Sequence, residues 1–227
     1  YLGKEELKEL NNLFKRDKAC LFAHGFEKFR KRFHVREFED QCAKKMKTKF
    51  ALAVTSGTSA IKIGLKALGV KPGDEVITQG FNFIATVEAI IDTGAKPIMC
   101  NIDQSLNMCP HDLKKLISKK TKAIIPVHML GVTCKMDEIK QIAKKNRIKI
   151  LEDNCESMGG KYKNKLLGTL GEIGVVSYDF GKTITCGEGG MIFTNDKKLD
   201  KYVRDYHDHG HELNPKFPRG EDTVKIV

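Results

Sequence analysis

The stretch FALAVTSGTSAIKIGLKALG, residues 50–69, contains the pattern that decides the fold. A short apolar run comes first, a turn of small polar residues follows, and apolar residues at helical spacing continue to Gly69. This order indicates a strand, a tight turn and a helix. The turn places free N–H groups at the start of a helix, where the helix dipole favours a bound anion such as phosphate. A serine or threonine N-cap explains the same residues equally well.

The alternation of apolar runs and amphipathic segments continues along the chain. Strands that alternate with helices indicate βαβ units and a mostly parallel sheet, whose strands are apolar on both faces. We therefore predict an α/β fold with a mostly parallel sheet flanked by helices. The last apolar run follows directly on a loop, so it can pair antiparallel. The further runs lie at 75–78, 97–101, 122–127, 148–152, 175–179 and 189–195.

No low-complexity linker or internal repeat divides the 227 residues. We predict one α/β domain over residues 1–210 that begins with an N-terminal helical arm. Phe38, Cys42 and Met46 recur every four residues and predict a helix with one buried face. Residues 211–227 are rich in proline and charge and have no regular period, so we expect them to start a truncated C-terminal segment.

Charge and cysteine content exclude several classes of protein. There are 40 Lys and Arg against 29 Asp and Glu, which gives a net charge of +11. Such a field attracts nucleic acid, anionic lipid or a phosphorylated small molecule, but the basic residues are scattered and no RNA-binding aromatic motif occurs. No apolar run is long enough for a membrane span. Seven cysteines without a CxxC pair fit reduced thiols, so we expect a cytoplasmic protein without a metal site. Together with the scattered charge and the short apolar runs, this leads us to expect no nucleic-acid or membrane partner.

Candidate site residues follow the strands, because ligands bind beyond the carboxyl ends of strands in open α/β sheets. Asp153 ends an apolar run and needs a donor, such as the protonated ring nitrogen of a pyridine cofactor. An N-cap for a helix at 154–157 is the alternative. Lys182 precedes a glycine-rich turn, where a desolvated lysine can act as a nucleophile and bond to a carbonyl. Ser177, five residues earlier, could hold a phosphate of the same molecule.

These motifs, in this order, resemble the sugar aminotransferases of the DegT/DnrJ/EryC1/StrS family. The blocks SGTSA, FNFIAT, EDNCESMGG, SYDFGKTITCGEGGM and TND carry the resemblance over nearly the whole chain. The resemblance implies a fold of the aspartate aminotransferase type, a pyridoxal phosphate (PLP) cofactor and an active site at a homodimer interface. Family members continue into a smaller C-terminal domain, and we expect this sequence to stop before it.

The resemblance also assigns roles to individual residues. Lys182 is implied to bond to the cofactor, Asp153 to face the pyridine nitrogen and Phe83 to stack on the ring. Glu156 matches a position near the ring hydroxyl that usually carries Gln or His, although Glu at this position also resembles the perosamine-synthase branch. The residues assigned to the cofactor phosphate are Gly57, Thr58, Ser59 and Ser177.

The activity implied by the resemblance is a two-stage transfer of an amino group, with Lys182 as general base and acid. The donor would be an amino acid, in this family glutamate, and the acceptor a nucleotide-linked keto-sugar for cell-surface polysaccharide or related deoxyamino-sugar biosynthesis. A sugar 3-dehydratase of the same family is the nearest alternative, but those enzymes carry His where Lys182 stands. An alternative of another class is a non-catalytic binding or regulatory module on this fold.

Two further candidate sites have weaker support. His207, His209 and His211 occur at a spacing of two, which on a strand would place three imidazoles on one face as in a metal site. A glycine between the second and third histidines argues against this interpretation. Cys155 and His128 could form a thiol–imidazole pair, but no oxyanion motif accompanies the cysteine. A reduced core thiol explains Cys155 adequately.

Overall fold

A computed structural model describes residues 3–17 and 33–208 of the chain. Strands and helices alternate over most of this length. The helices are α1 (Lys4–Asp17), α2 (His34–Met46), α3 (Gly57–Ala67), α4 (Ile84–Asp92), α5 (Pro110–Leu116), α6 (Met136–Asn146) and α7 (Lys197–His207). The strands are β1 (Phe50–Val54), β2 (Glu75–Gln79), β3 (Lys96–Cys100), β4 (Thr121–Ile125), β5 (Lys149–Asp153), β6 (Lys161–Tyr162), β7 (Lys165–Leu166), β8 (Ile173–Ser177) and β9 (Gly190–Thr194).

Seven strands form one sheet in the order β1-β9-β8-β5-β4-β2-β3. Strands β2, β3, β4, β5 and β8 pair parallel, whereas β9 pairs antiparallel with both β1 and β8. The predicted α/β fold with a mostly parallel sheet is therefore confirmed, including the antiparallel last strand. All strands of the sheet except β9 end on one side, which we call the carboxyl edge. The opposite side, where they begin, is the amino edge.

Helices cover both faces of the sheet because neighbouring residues of a strand point to opposite sides. In β5, Leu151 belongs to the same apolar cluster as Ile61 and Leu65 of α3. Its neighbour Ile150 packs with Ile139 of α6 in a second cluster. Both β5 residues are at most 3% exposed, and burying each such side chain contributes roughly 1.5–3 kcal/mol. The end of β5 is thus held rigidly from both sides.

The buried face of α2 differs from the prediction. The helix is confirmed, but Phe38 is 42% exposed and Glu39 only 6%. Glu39 accepts hydrogen bonds from the Ala53 N–H at 2.8 Å and from Arg204 Nη1 at 3.1 Å. These bonds fix α2 to β1 and α7, and they turn the helix so that an acid replaces the expected phenylalanine in the interior. The buried positions of α2 are Glu39, Ala43 and Met46.

Helix α7 and the two-stranded hairpin of β6 and β7 are additional to the predicted elements. Asp196 is the N-cap of α7, and its Oδ1 accepts from the N–H groups of Lys198 and Leu199. Among the described helices, none combines the length and apolar character that crossing a bilayer requires. The predicted boundary at residue 210 and the segment 211–227 lie outside the described residues.

Candidate active site

A cleft of about 260 Å³ opens at the carboxyl edge, between α3, the start of α4 and the loops after β5 and β8. Open α/β sheets bind ligands beyond the carboxyl ends of their strands, which is this side of the sheet. A larger cavity of about 720 Å³ lies between α6 and β5 at the amino edge, but none of the candidate residues lines it. The cleft is lined by Ser56, Gly57, Thr58, Ile61, Phe83, Ala85, Thr86, Val127, Asp153, Cys155, Glu156, Ser177, Asp179, Lys182 and Glu188.

The turn before α3 presents N–H groups to the cleft. Ser56 is the N-cap of the helix, and its Oγ accepts a hydrogen bond from the Ser59 N–H at 3.0 Å. The N–H groups of Gly57 and Thr58 lie in the first turn, where a helix offers them no internal partner. The serine-cap interpretation is thus confirmed, and two amides remain that can bind an anion. Ser59 does not line the cleft, since its hydroxyl lies 3.0 Å from those of Ser56 and Thr55.

Two glycines bring this turn close to the sheet. A Cβ on Gly57 would lie 2.9 Å from the Cβ of Ser177 and 3.0 Å from the sulfur of Cys155. A Cβ on Gly190 would collide with the carbonyl group of Ser56. Because both side chains are absent, β8 and β9 approach the start of α3. Ser177 and the first amides of α3 therefore line the same part of the cleft.

Asp153 ends β5 beneath the cleft and is 3% exposed. Its Oδ2 accepts a hydrogen bond from Thr86 Oγ1 at 2.8 Å, and its Oδ1 accepts from the Cys155 N–H at 3.1 Å. Residues 154–157 form a turn rather than a helix, so the helix N-cap alternative is wrong. A carboxylate has about four lone-pair positions, and two hydrogen bonds leave acceptor capacity towards the cleft.

Lys182 enters the cleft from the loop after β8. Its Nζ lies 3.3 Å from Oε1 of Glu156 and 5.6 Å from the centre of the Phe83 ring. The lysine and glutamate side chains are 21% and 20% exposed, so their ion pair is reachable from solvent. Phe83, at the N-cap position of α4, is 61% exposed. Three predicted side chains from separate strand ends thus meet at the mouth of the cleft.

Carboxylates outnumber cations in the cleft. Asp153, Glu156, Asp179 and Glu188 line it, and Lys182 is the single Lys or Arg among its described lining residues. One of the acids, Asp179, is partly occupied, because its Oδ2 accepts from the Gly181 N–H at 3.0 Å. The formal charge of the described lining is therefore negative by three.

Three polar lining residues are additional to the predicted set, namely Thr86, Asp179 and Glu188. Each had a signal in the sequence. Thr86 follows Phe83 by three residues, so both lie in the first turn of α4. Asp179 follows Ser177 by two residues, which is the spacing of side chains on one face of a strand. Glu188 belongs to the GEGGM block on which the family resemblance already rested.

The buried imidazole of His128 is not part of the cleft chemistry. Its Nδ1 accepts from the Cys134 N–H at 3.1 Å, which assigns the ring proton to Nε2, and Nε2 lies 3.2 Å from Oε1 of Glu152. Both ring nitrogens are therefore occupied away from Cys155. Burial, together with the nearby Asp153 carboxylate, raises the pKa of the Cys155 thiol well above its usual value. The thiol–imidazole pair considered from the sequence is wrong.

A metal site has no support in the described part of the chain. Within residues 3–17 and 33–208, no group of three or more His, Cys, Asp or Glu side chains is arranged to hold a metal ion. His207 ends α7 rather than lying on a strand. His209 and His211 lie outside the described residues.

Comparison with known proteins gives the family. A sequence profile of the DegT/DnrJ/EryC1/StrS aminotransferase family matches residues 18–221. The GDP-perosamine synthase of Escherichia coli O157:H7 is 42% identical over 181 residues, which make up 79% of this chain and 49% of that protein.

Solved structures show the same relationship. NtdA from Bacillus subtilis, with its cofactor PMP bound, superposes with a TM-score of 0.82 at 32% identity, over 96% of this chain and 48% of that one. A GDP-4-keto-6-deoxymannose-3-dehydratase with a trapped PLP-glutamate geminal diamine gives a TM-score of 0.76 at 34% identity, over 85% of this chain and 50% of that one. The chain spans about half the length of the relatives it matches. Because a family profile matches most of its length, this chain belongs to the DegT/DnrJ/EryC1/StrS aminotransferase family.

Proposed function

We propose that the protein is a PLP-dependent aminotransferase that moves an amino group from an amino acid, glutamate, to a nucleotide-linked keto-sugar. The observation that carries the proposal is the meeting of the Lys182 amine, the Asp153 carboxylate and the free amides of α3 in one cleft. The product would enter the biosynthesis of a cell-surface polysaccharide or a related deoxyamino sugar. The similarity to a GDP-perosamine synthase supports this class of acceptor.

The cleft fits PLP by three features of the chain itself. The cradle at Gly57, which a Cβ would fill, brings N–H donors and the Ser177 hydroxyl together as a phosphate needs. Asp153 is buried and retains acceptor capacity, as a protonated ring nitrogen requires. Lys182 reaches the same space with its amine, and Phe83 lies beside it. Solved relatives that hold PMP or PLP support the same assignment.

Each cleft residue has a separate task in this mechanism. PLP, when bound, supplies an aldehyde that takes up an amine and a ring that withdraws electrons from the carbon beside it. Lys182 would hold the cofactor covalently through Nζ, and as a free amine it would act as the base and acid that moves a proton to and from the substrate carbon. Glu156, 3.3 Å from Nζ, orients the lysine. The Asp153 carboxylate would hold the ring nitrogen in its protonated form.

The remaining residues position the cofactor. The amides of Gly57 and Thr58 and the Ser177 hydroxyl would hold the phosphate, and Phe83 would pack against the ring. Ser59 acts through the N-cap, because its N–H and hydroxyl both contact Ser56.

A sugar 3-dehydratase is the second candidate, and a structural relative of that activity supports it. The residue that separates the two activities is Lys182, since a dehydratase of this family carries His there. An amine at this position favours amino-group transfer because it can return the proton that the transfer requires. A binding module without catalysis would not need this lysine in the cleft.

Exposed apolar side chains at the carboxyl edge support a homodimer that covers the cleft. Monomers rarely expose large contiguous apolar patches, and such patches mark interaction sites. We place the dimer in the cytoplasm, where its free thiols stay reduced. The side chains concerned, 38–72% exposed, are Phe81, Phe83, Ile84, Leu130, Phe180 and Ile184.

Reduction with borohydride tests the proposal. We expect the protein to turn yellow with PLP, and borohydride to attach the cofactor irreversibly to Lys182, as measured by peptide mass. Lys182→Ala should abolish the attachment, whereas Lys163→Ala, at an exposed lysine outside the cleft, should not. Attachment that persists in Lys182→Ala would overturn the assignment.

A second assay distinguishes the reactions. Glutamate should bleach the cofactor band, and nucleotide keto-sugars supplied as a panel should then gain an amino group. Loss of a sugar hydroxyl without transfer of nitrogen would identify a dehydratase, and an unchanged band would identify a binding module.

A further inference from the structure

Positive charge is concentrated at the amino edge, on the side of the sheet opposite the cleft. Four segments meet there, and we call them together the basic edge: KKMKTK (44–49), KKLISKKTK (114–122), KKNRIK (144–149) and KK (197–198). They contain fifteen Lys or Arg residues, all exposed, and no Asp or Glu. Within the described part of the chain, Lys149 alone among them forms an ion pair, at 3.9 Å from Glu172.

Helix capping explains only part of the basic edge. Lysines near a helix carboxyl terminus complement the helix dipole, which accounts for the pairs that end α2, α5 and α6. It does not account for Lys119 and Lys120, which precede β4, or for Lys122, which lies in it. Lys197 and Lys198 lie in the first turn of α7, where a cation opposes the dipole. The charge therefore needs an explanation outside helix stability.

Attraction of substrate to the cleft is not that explanation. A strand of five residues separates the two edges, which is roughly 17 Å. Salt at physiological strength screens charges over about 8 Å. The cleft lining itself carries four carboxylates against one ammonium group. A phosphorylated substrate near the cleft thus experiences little of the basic edge.

We propose that the basic edge docks the protein on an anionic bilayer surface, with the cleft facing away from it. The charges lie in a plane rather than along a line. They extend from α5 and α6, which pack on one face of the sheet, to α7 on the other. The sheet adds seven strands of width, roughly 30 Å. Clusters of lysine close to a membrane surface bind its anionic lipids.

The side chains of the basic edge favour a lipid surface over nucleic acid. Arg147 is the single arginine among the fifteen cations, so only one guanidinium group is available for bidentate hydrogen bonds to bases or phosphates. The exposed phenylalanines of the described residues lie elsewhere, on α1, on α2 or at the carboxyl edge. Single-stranded bases would therefore find no fully exposed phenylalanine to stack on at the amino edge of the described chain. The amino-edge cavity leaves room for lipid head groups, and its lining carries four cations, Lys140, Lys144, Arg147 and Lys149, against the two carboxylates of Asp137 and Glu172.

The docking face goes beyond the proposed enzymatic activity and does not depend on it. It replaces the expectation of a protein without a membrane partner by a peripheral contact, for which no membrane span is needed. The apolar rim around the cleft remains free for a second subunit, because the two surfaces lie at opposite edges.

Vesicle sedimentation at 50 mM salt tests the proposal. The edge variant Lys119→Gln/Lys120→Gln/Lys122→Gln/Lys144→Gln/Lys145→Gln removes five charges from the basic edge. A control variant carries the same change at five exposed lysines away from the basic edge and its cavity: Lys4, Lys8, Lys15, Lys161 and Lys165. Both variants lower the net charge equally, and thermal melting verifies that both fold.

We expect the protein to sediment with vesicles of phosphatidylcholine and 30% phosphatidylserine at 50 mM salt, and not with phosphatidylcholine alone. Affinity for the anionic vesicles should fall about 100-fold in the edge variant and by no more than about threefold in the control variant. Lysines of the basic edge should also be protected from acetylation on vesicles, while Lys163 is not. An equal loss in both variants would overturn the proposal. Tighter binding to a 30-base-pair DNA or to polyglutamate than to the anionic vesicles, at the same salt, would also overturn it.

Discussion

Glu152 and Asp153 are neighbours at the end of β5, yet they serve two different regions of the molecule. Both are nearly fully buried, with exposures of 0% and 3%. Glu152 accepts hydrogen bonds from the N–H groups of Gly168, Leu170 and Gly171 and contacts His128, so its oxygens are fully used. Asp153 has two donors and lines the cleft.

The difference between these acids teaches how a carboxylate that is free to bind a ligand is distinguished from a structural one. Burial does not distinguish them, and neither does the apolar strand that both end. The number of protein donors already bound to each carboxylate does. Since successive strand residues point to opposite faces, Glu152 fixes the loop between β7 and β8, while Asp153 keeps acceptor capacity for a ligand.

The largest expected effect comes from removing Glu152, the acid whose oxygens are all bound by protein donors. Glu152→Ala leaves three N–H groups and an imidazole without their acceptor, so we expect unfolding free energy to fall by about 3–5 kcal/mol. Urea denaturation followed by circular dichroism measures the loss. Glu152→Gln retains one oxygen acceptor and should lose less. If Glu152→Ala costs under about 1 kcal/mol, the acid does not have the structural role that separates it from Asp153.

Asp153, which retains acceptor capacity, should contribute little to stability and more to PLP binding. In Asp153→Asn, the amide retains the hydrogen bond from Cys155, so unfolding free energy should change by less than about 1 kcal/mol. PLP affinity should fall about 10-fold to 100-fold, which corresponds to one hydrogen bond to a charged group. Absorbance titration with PLP measures it. A stability loss as large as that of Glu152→Ala would remove the distinction between the two acids.

The sequence allowed the position of Asp153 to be predicted, but not the role of Glu152. A polar residue after an apolar run in an α/β fold lies at the carboxyl edge, and that rule needs local information only. The donors to Glu152 come from Gly168, Leu170 and Gly171, in a loop whose path no periodic pattern reports. The strands of the sheet were predictable for the same local reason.

Long-range contacts explain the other differences from the sequence prediction. Glu39 is buried in place of Phe38 because Arg204, 165 residues away, supplies its partner. The meeting of Glu156 with Lys182 depends on two strand ends that are neighbours in the sheet order but 26 residues apart in the chain. Such pairs follow from the fold and not from spacing.

The pH dependence of cysteine alkylation separates the two acids without any cofactor. Burial and then the Asp153 carboxylate raise the pKa of the Cys155 thiol. A raised pKa keeps the thiol protonated to higher pH, so its alkylation rate should still increase where an ordinary thiol, with a pKa near 8.5, has reached its plateau. Mass spectrometry after timed iodoacetamide treatment measures the profile. Asp153→Asn should move the alkylation profile of Cys155 to lower pH, and Glu152→Gln should leave the profile in place. Equal shifts in the two variants would contradict the distinction between the two acids.

The smallest expected effect concerns Thr86, the threonine that donates a hydrogen bond to Asp153. Thr86 Oγ1 donates to Asp153 at 2.8 Å, and Thr78 Oγ1 donates to the Ile125 carbonyl oxygen at 3.1 Å in the sheet interior. Each threonine is at most 1% exposed, so Thr86→Val and Thr78→Val should both lower unfolding free energy by about 1 kcal/mol. Only Thr86→Val should also weaken PLP binding, by about threefold to fivefold, because Asp153 then loses its alignment while retaining its charge. Equal PLP affinity in the two variants would show that Asp153 is positioned by β5 alone.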